Sequence, residues 1–205
     1  MEPGWLSWAQ RLQAIAQTGL AYAVNQYDVE RYVAVREIAA EMMAEGSHGD
    51  LATIRGLFAS QTGYATPKVD VRGVVFRENQ ILLVKEREDG GWTLPGGWAD
   101  VGESPADATV REVREESGFE TRAVKLLAVY DRNRHGHTPI PFHAYKLFFR
   151  CEIIGGAPAL SVETEGVDWF AEDSLPTLSI SRVTPVQIHR FFEHLRNPGW
   201  PTEFD

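Results

Sequence analysis

The chain has 205 residues, of which 43% are apolar and 24% charged, the proportions of an ordinary globular protein with room for one good-sized domain or two small ones. A formal net charge of −9 argues against a general nucleic-acid or anionic-membrane surface, so an anionic substrate needs metal ions or a local basic patch to approach. The single cysteine, Cys151, excludes an internal disulfide and fits a reducing compartment. The opening MEPGWLSWAQ lacks a basic segment followed by an apolar run, and a cytoplasmic location is expected.

Residues Trp5 to about Ala23 read as an amphipathic helix with Trp8, Leu12, Ile15 and Ala16 on one side. A second helix is expected from Asp28 as N-cap, with Tyr27 and Tyr32 as a hydrophobic staple and Gly46 after its end. Its apolar stripe is Tyr32, Val35, Ile38, Ala39 and Met42. A third helix covers about Asp50 to Ser60 through Leu51, Ile54, Leu57 and Phe58. Three short helices with stripes this wide can scarcely bury themselves, so they are expected to pack on the next domain or on a second subunit. The breakers in Gln61–Pro67 set a boundary between a helical N-terminal domain, 1–66, and a second domain, 67–205.

Strand character follows. Val69, Val71 and Val75 alternate with polar or small residues, and Ile81–Val84 is a second apolar run. A Gly90-Gly91 turn leads to Trp92, Thr93, Leu94 and Pro95, and then to GWADVGESPADATVREVREESGF from Gly97 to Phe119. In this stretch Ser104 suits an N-cap, Pro105 the first helical position, Asp107 the capping carboxylate and Gly118 the C-terminal stop. Ala106, Val110, Val113 and Ser117 share one helix face, and Glu112, Glu115 and Glu116 share another. Alone, three such glutamates read as a solvated acidic face. Equally, a cluster of hard oxygen ligands far from the favourable helix N-terminus suits Mg²⁺ or Mn²⁺.

Further strands are expected at Val124–Val129, at the alternating Tyr145, Leu147, Phe149, Cys151 and Ile153, and at Val167–Phe170. Between the first two lies a polar loop, RNRHGHTPIPF, in which Arg132, Arg134, His135 and His137 could bind phosphate or form a mobile surface. His143 reads as structural. Thr184 caps a last helix, with Pro185 at N1, Gln187 at N3, and Ile188, Phe191, Phe192 and Leu195 as its buried face. Strands interspersed with helices indicate a mixed sheet between helices, an α+β or α/β class.

Gly97, Glu103, Arg111, Glu112, Glu115, Glu116 and Gly118, with apolar Val113 and Phe119, fall in the register G-x5-E-x7-R-E-U-x-E-E-x-G-U. The stretch resembles the signature of the Nudix hydrolases without a departure. VDVRGVVF, ILLVKEREDGGWTLPGGWADVGES, YDRNRHGHTP, SVETEGVDWFAEDSLP, PTEFD and the N-terminal LSWAQRLQAIAQTGLAYA resemble the Nudix subgroup that includes CDP-choline pyrophosphatase, so the likeness spans nearly the whole chain.

The resemblance implies an α/β/α sandwich with a mixed sheet, preceded by a small all-α domain. It also implies metal-dependent cleavage of a nucleoside diphosphate linked to another group. Glu112 and Glu116 resemble the principal ligands of Mg²⁺ or Mn²⁺, Glu115 a further one, and the Gly96 carbonyl often completes the shell. Arg111 is expected to pair with Glu103 and orient the acidic face, a structural ion pair that also serves the ligands. Glu163 is preferred to Glu165 as general base. Arg72, Trp98, Arg132, Arg134 and His135 are candidate substrate-binding residues. Trp92 and Trp98 flank the glycine turn, where packing is the expectation and base stacking the alternative.

CDP-choline is the first expected substrate and ADP-ribose the second. An RNA-processing pyrophosphohydrolase or exonuclease and a nucleotide-sensing, non-hydrolytic domain are the competing readings. A homodimer through the N-terminal helices is also expected.

Overall fold

The computed structural model describes residues 3–205. Two compact units are present: one ends at Lys68 and also takes in Pro139–His143, and the other comprises Val69–Thr138 and Ala144–Asp205.

The first unit holds α1 (Gly4–Tyr22), α2 (Gln26–Ser47) and α3 (Leu51–Ser60). Asn25 caps α2 by accepting from the Asp28 amide at 2.9 Å, so the helix starts before the expected cap and Asp28 lies in its first turn. Gly46 lies inside the helix, which ends at His48 in the left-handed region. Tyr27 is 74% exposed and forms no staple core. Asp50 caps α3 through the Thr53 amide at 2.7 Å.

The buried face of this unit keeps part of the stripes that the periodicity suggests, with Ala16, Ala39, Ile54 and Phe58 buried and Leu12, Met42 and Leu51 packed on the core, but not all of them. Leu6, Ala9, Ala39, Ala40, Met43, Ile54 and Phe58 form its core, while Trp8, Ile15 and Ile38 are exposed. The reason is close approach. The Tyr32 ring lies over Gly19, where a Cβ would stand 2.3 Å from it, and the Trp5 ring covers Gly46 in the same way. Helices that meet through Ala and Gly leave their bulkier faces outside. Pro139–His143 joins this unit through bonds from Gln10 to the Ile140 carbonyl, 3.1 Å, and from the Lys68 amide to the His143 carbonyl, 3.0 Å.

The second unit is a mixed seven-stranded sheet between helices. Its strands are β1 (Lys68–Arg77), β2 (Gln80–Glu86), β3 (Trp92–Thr93), β4 (Phe119–Asp131), β5 (Ala144–Gly156), β6 (Thr164–Ala171) and β7 (Glu203–Phe204). Its helices are α4 (Pro105–Ser117) and α5 (Pro185–Arg196). The order is β3-β2-β1-β5-β4-β7, with β6 paired antiparallel to β2 and β7 parallel to β4. Glu78 and Asn79, both at positive φ, make the two-residue turn that joins β1 to β2.

Side chains alternate across a strand, so adjacent apolar residues feed opposite layers. Val75 and Leu82 pack with Val113 of α4, whereas Val74, Ile81 and Leu83 pack with Ile188, Phe191 and Phe192 of α5. This explains why β1 and β2 read as nearly continuous apolar runs. Burying each such Leu, Ile or Phe contributes about 1.5–3 kcal/mol. In β5 the expected alternating set divides: Cys151 is buried with Phe149 and Ile153 packed on the same core as Val113, whereas Tyr145 is 42% exposed, and on the other face Ala144, Lys146 and Phe148 are buried. Among the described residues no helix is long and apolar enough to cross a membrane.

Candidate active site

Helix α4 is capped as its sequence indicates. Ser104 accepts from the Asp107 amide at 3.1 Å, Pro105 opens the helix, and Gly118 ends it at φ 78°. Its buried residues are Ala108, Thr109, Val113, Glu116 and Ser117. The inward face is therefore rotated from the Ala106–Val110 edge, and Glu116 goes under the protein surface with it. The three glutamates are not equivalent. Glu116 is 5% exposed, the Glu112 side chain 13% and the Glu115 side chain 50%.

The turn before the helix hangs on β1. Gly73 donates to the Pro95 carbonyl at 2.8 Å and Val71 to the Gly97 carbonyl at 2.8 Å, which leaves the intervening Gly96 carbonyl outside that ladder. The Gly96 amide donates to Glu116 Oε2 at 3.0 Å. Only glycine fits at 96: φ is +144°, and a Cβ would stand 2.0 Å from the Val71 carbonyl oxygen. At Gly97 a Cβ would lie 3.3 Å from both Glu112 oxygens.

Arg111 gathers the acids on the outer side. Its Nε donates to both Glu103 oxygens at 3.0 Å, and its Nη1 to Glu112 at 2.9 Å and Glu115 at 3.0 Å. Among the described residues no three His, Cys, Asp or Glu side chains already converge as a metal cage.

These groups line a cleft of about 580 Å³, together with Arg72, Trp98, Asp100, Ser161, Val162, Glu163, Glu86 and Arg182. Six carboxylates (Glu86, Asp100, Glu112, Glu115, Glu116 and Glu163) thus face three guanidiniums (Arg72, Arg111 and Arg182). Burial pushes the Glu116 carboxyl up to about 8, against the pull of Arg72 and the Gly96 amide, and Glu86 and Glu112 add to the rise. Burial likewise raises Glu112 and Glu86. A buried, under-neutralised set of hard oxygen donors has the chemistry that a divalent magnesium-like cation requires.

Glu163 stands at the rim on a loop built by Ser161, whose Oγ accepts from the amides of Glu163 at 3.1 Å and Thr164 at 3.0 Å. Thr164 Oγ1 donates to the Glu116 carbonyl at 3.0 Å, tying this loop to the end of α4. Glu165 is outside the cleft lining and pairs with Lys85 at 2.7 Å.

Glu86 and Arg182 escape the sequence reading. Arg182 Nε meets Glu86 at 3.1 Å. Glu86 follows Leu82 and Val84 at two-residue spacing, so an acid ending a buried strand face was the available signal, although a register shift at Lys85/Glu86 interrupts the alternation. Arg182 carries no signal, because it comes from a loop far along the chain.

Arg132, Arg134 and His135 do not line the cleft. Arg132 is buried and donates to the carbonyls of Thr138 at 2.7 Å and Ser181 at 2.9 Å, which ties its loop to the segment before α5. Arg134 lies near Asp131, at 3.8 Å. His135 stacks on Tyr130 at 3.9 Å between ring centroids and contacts Asp205 at 2.9 Å. Trp92 packs edge-on against Phe170, whereas Trp98 is 45% exposed on the cleft.

Comparison with known proteins matches residues 66–189 to the NUDIX domain and residues 3–58 to a UDP-X-like, N-terminal oligomerisation domain. A Bacillus subtilis protein named "Putative ADP-ribose pyrophosphatase YjhB" is 49% identical over 98% of this chain and 97% of its own length. The structure of a UDP-X diphosphatase aligns over the whole of both chains at 32% identity and a TM-score of 0.64. An ADP-ribose pyrophosphatase from Streptococcus suis aligns over 68% of this chain and all of its own, at 38% identity and a TM-score of 0.63. With a NUDIX domain over more than half its length, the chain belongs to the Nudix hydrolase family, as a pyrophosphohydrolase acting on nucleoside diphosphate-linked substrates.

Proposed function

We propose that the protein hydrolyses the diphosphate of ADP-ribose, using Mg²⁺ or Mn²⁺ held by Glu112 and Glu116 with help from Glu115 and the Gly96 carbonyl. The observation that carries this reading is the excess of carboxylates over guanidiniums in one cleft, several of them buried, where a diphosphate could not approach without added positive charge. When bound, the ion neutralises phosphoryl oxygens and lowers the pKa of a coordinated water.

The chain's own residues do the rest. Glu163, at the rim and outside the Arg111 network, takes the proton of the attacking water on a carboxylate oxygen. Arg111 orients Glu112 and Glu115 and, through Glu103, fixes the edge of the helix. Arg72 offers N–H groups to the substrate phosphates. Trp98 offers a ring face to the base or the ribose.

ADP-ribose rather than CDP-choline leads because relatives similar over most of this chain carry that activity in their names. The cleft adds a physical reason. A choline cage needs several aromatic faces, and Trp98 is the only aromatic residue in the described cleft lining. Tyr130 is tied to Glu203 at 2.8 Å and stacked on His135.

The test is turnover with Mg²⁺ of ADP-ribose, CDP-choline, a UDP-sugar and a 5′-triphosphorylated RNA, with products separated by chromatography. ADP-ribose should show the highest kcat/KM and give AMP and ribose 5-phosphate. A clear preference for CDP-choline would reverse the substrate order and keep the chemistry. Nucleotide binding without turnover would replace the enzyme reading by a sensor.

The same reading includes a homodimer through the first unit. Trp8, Ile15, Tyr22 and Ile38 are all more than half exposed there, and the matched N-terminal family is described as an oligomerisation domain.

A further inference from the structure

Arg72 reaches the cleft held from behind. Its Nε and Nη2 donate to the two carboxylate oxygens of Asp70, both at 2.9 Å, and its Nη1 donates to the Leu94 carbonyl at 3.0 Å. A guanidinium carries five N–H groups, so these bonds leave one on each terminal nitrogen. Asp70 in turn accepts from Lys146 Nζ at 2.6 Å. Asp70 and Arg72 are two apart on β1 and share a face, and Lys146 comes from the neighbouring strand β5. Lys146 is 1% exposed and Asp70 6%, and neither lines the cleft. They cannot touch a substrate lying in it.

Stability does not explain this arrangement. Well-packed apolar residues in place of a buried ion pair are often as stable or more so. The cleft supplies the explanation. Glu116 and Glu86 both act electrostatically on Arg72 from the cleft side. A guanidinium without Asp70 would find its next carboxylate there, and a direct pair with Glu116 would consume the donor and the acceptor together.

We propose that Asp70 and Lys146 are positioning residues: Asp70 grips Arg72 bidentately and Lys146 fixes Asp70, so that the two remaining Arg72 N–H groups point at a phosphoryl oxygen and stay off Glu116. The inference rests on the cleft being the diphosphate site.

The test measures two affinities on the full-length protein: Mn²⁺ alone, and α,β-methylene-ADP, a non-cleavable diphosphate, in the presence of Mn²⁺. Asp70→Asn should weaken both by about 10-fold, the loss of one charged hydrogen-bond anchor. In an Arg72→Met background the same substitution should add nothing, because the residue acts through Arg72. Asp70→Asn leaves Lys146 buried without its carboxylate, so Asp70→Asn/Lys146→Met is the companion variant. It leaves the net charge of the buried group unchanged, removes the stranded lysine, and should show the same losses. A role confined to folding would lower the melting temperature and leave both affinities unchanged, and that result overturns the inference. So do equal effects of Asp70→Asn with and without Arg72. A wild-type protein that binds neither Mn²⁺ nor the analogue would refute the site itself, a failure distinct from these two.

Discussion

The two units dispose of their apolar side chains in opposite ways. In the sheet unit Val74, Val75, Ile81, Leu82, Leu83 and Val84 are all 0% exposed. In the helical unit Trp8 is 58% exposed, Ile15 55% and Ile38 52%. A sheet has two faces, and here α4 and α5 cover one each. Two long helices and one short one close a single small core around Ala9, Ala39, Met43 and Phe58 and leave large apolar residues on their outer faces. The contrast separates two jobs. The sheet unit has a complete core of its own and can hold charged groups in fixed places, whereas the helical unit keeps large apolar side chains on its surface, the face that the proposed dimer would cover.

The sharpest way to break this division is at the chemistry. Glu163→Gln should lower kcat by about 10²–10⁴ with little change in stability, because Glu163 lies at the rim. Glu165→Gln should stay near wild type, since Glu165 already spends its charge on Lys85. A crippled Glu165→Gln beside an unaffected Glu163→Gln would move the base to the other glutamate.

Next in size are the carboxylates of α4. Glu112→Gln and Glu116→Gln should each reduce kcat by about 10²-fold or more at saturating Mg²⁺. Melting curves of the metal-free variants should be no lower than wild type, and higher for Glu116→Gln, because an amide at 116 removes a buried charge that the fold disfavours. Normal turnover in both would remove α4 from the metal site.

Removal of metal is the reversible version. A chelator should abolish turnover, and Mg²⁺ or Mn²⁺ should restore it; activity that survives exhaustive chelation would exclude a metal role for the cleft.

The smallest catalytic effect and the clearest change in assembly should come from the helical unit. Trp8→Glu and Ile38→Glu place charges on exposed apolar positions and should shift a dimer toward monomer in light scattering, with little loss of secondary structure. A wild-type monomer at micromolar concentration would assign the exposed face to another partner.

What could be read from the chain alone is what local chemistry sets. Ser104, Pro105 and Gly118 bound α4, and Thr184 and Gln187 form the capping box that starts α5 with Pro185 at its first position, because caps and stops act within one turn. Glu112, Glu115 and Glu116 likewise fall together on one helix face, since residues three and four apart are neighbours, with Gly97 and Glu103 in the segment before the helix.

Tertiary packing decided the rest. It turned Glu116 inward while Glu115 stayed half exposed, a distinction that periodicity cannot make between adjacent glutamates. It put Trp8 outside and Ala9 inside, with the rings of Tyr32 and Trp5 seated on Gly19 and Gly46. And it brought Glu86, Glu163 and Arg182 to the same cleft as α4 while using Arg132 and His135 to tie down loops. Each of those placements depends on contacts between residues far apart in sequence, and no local pattern records which distant partner a charged side chain will meet.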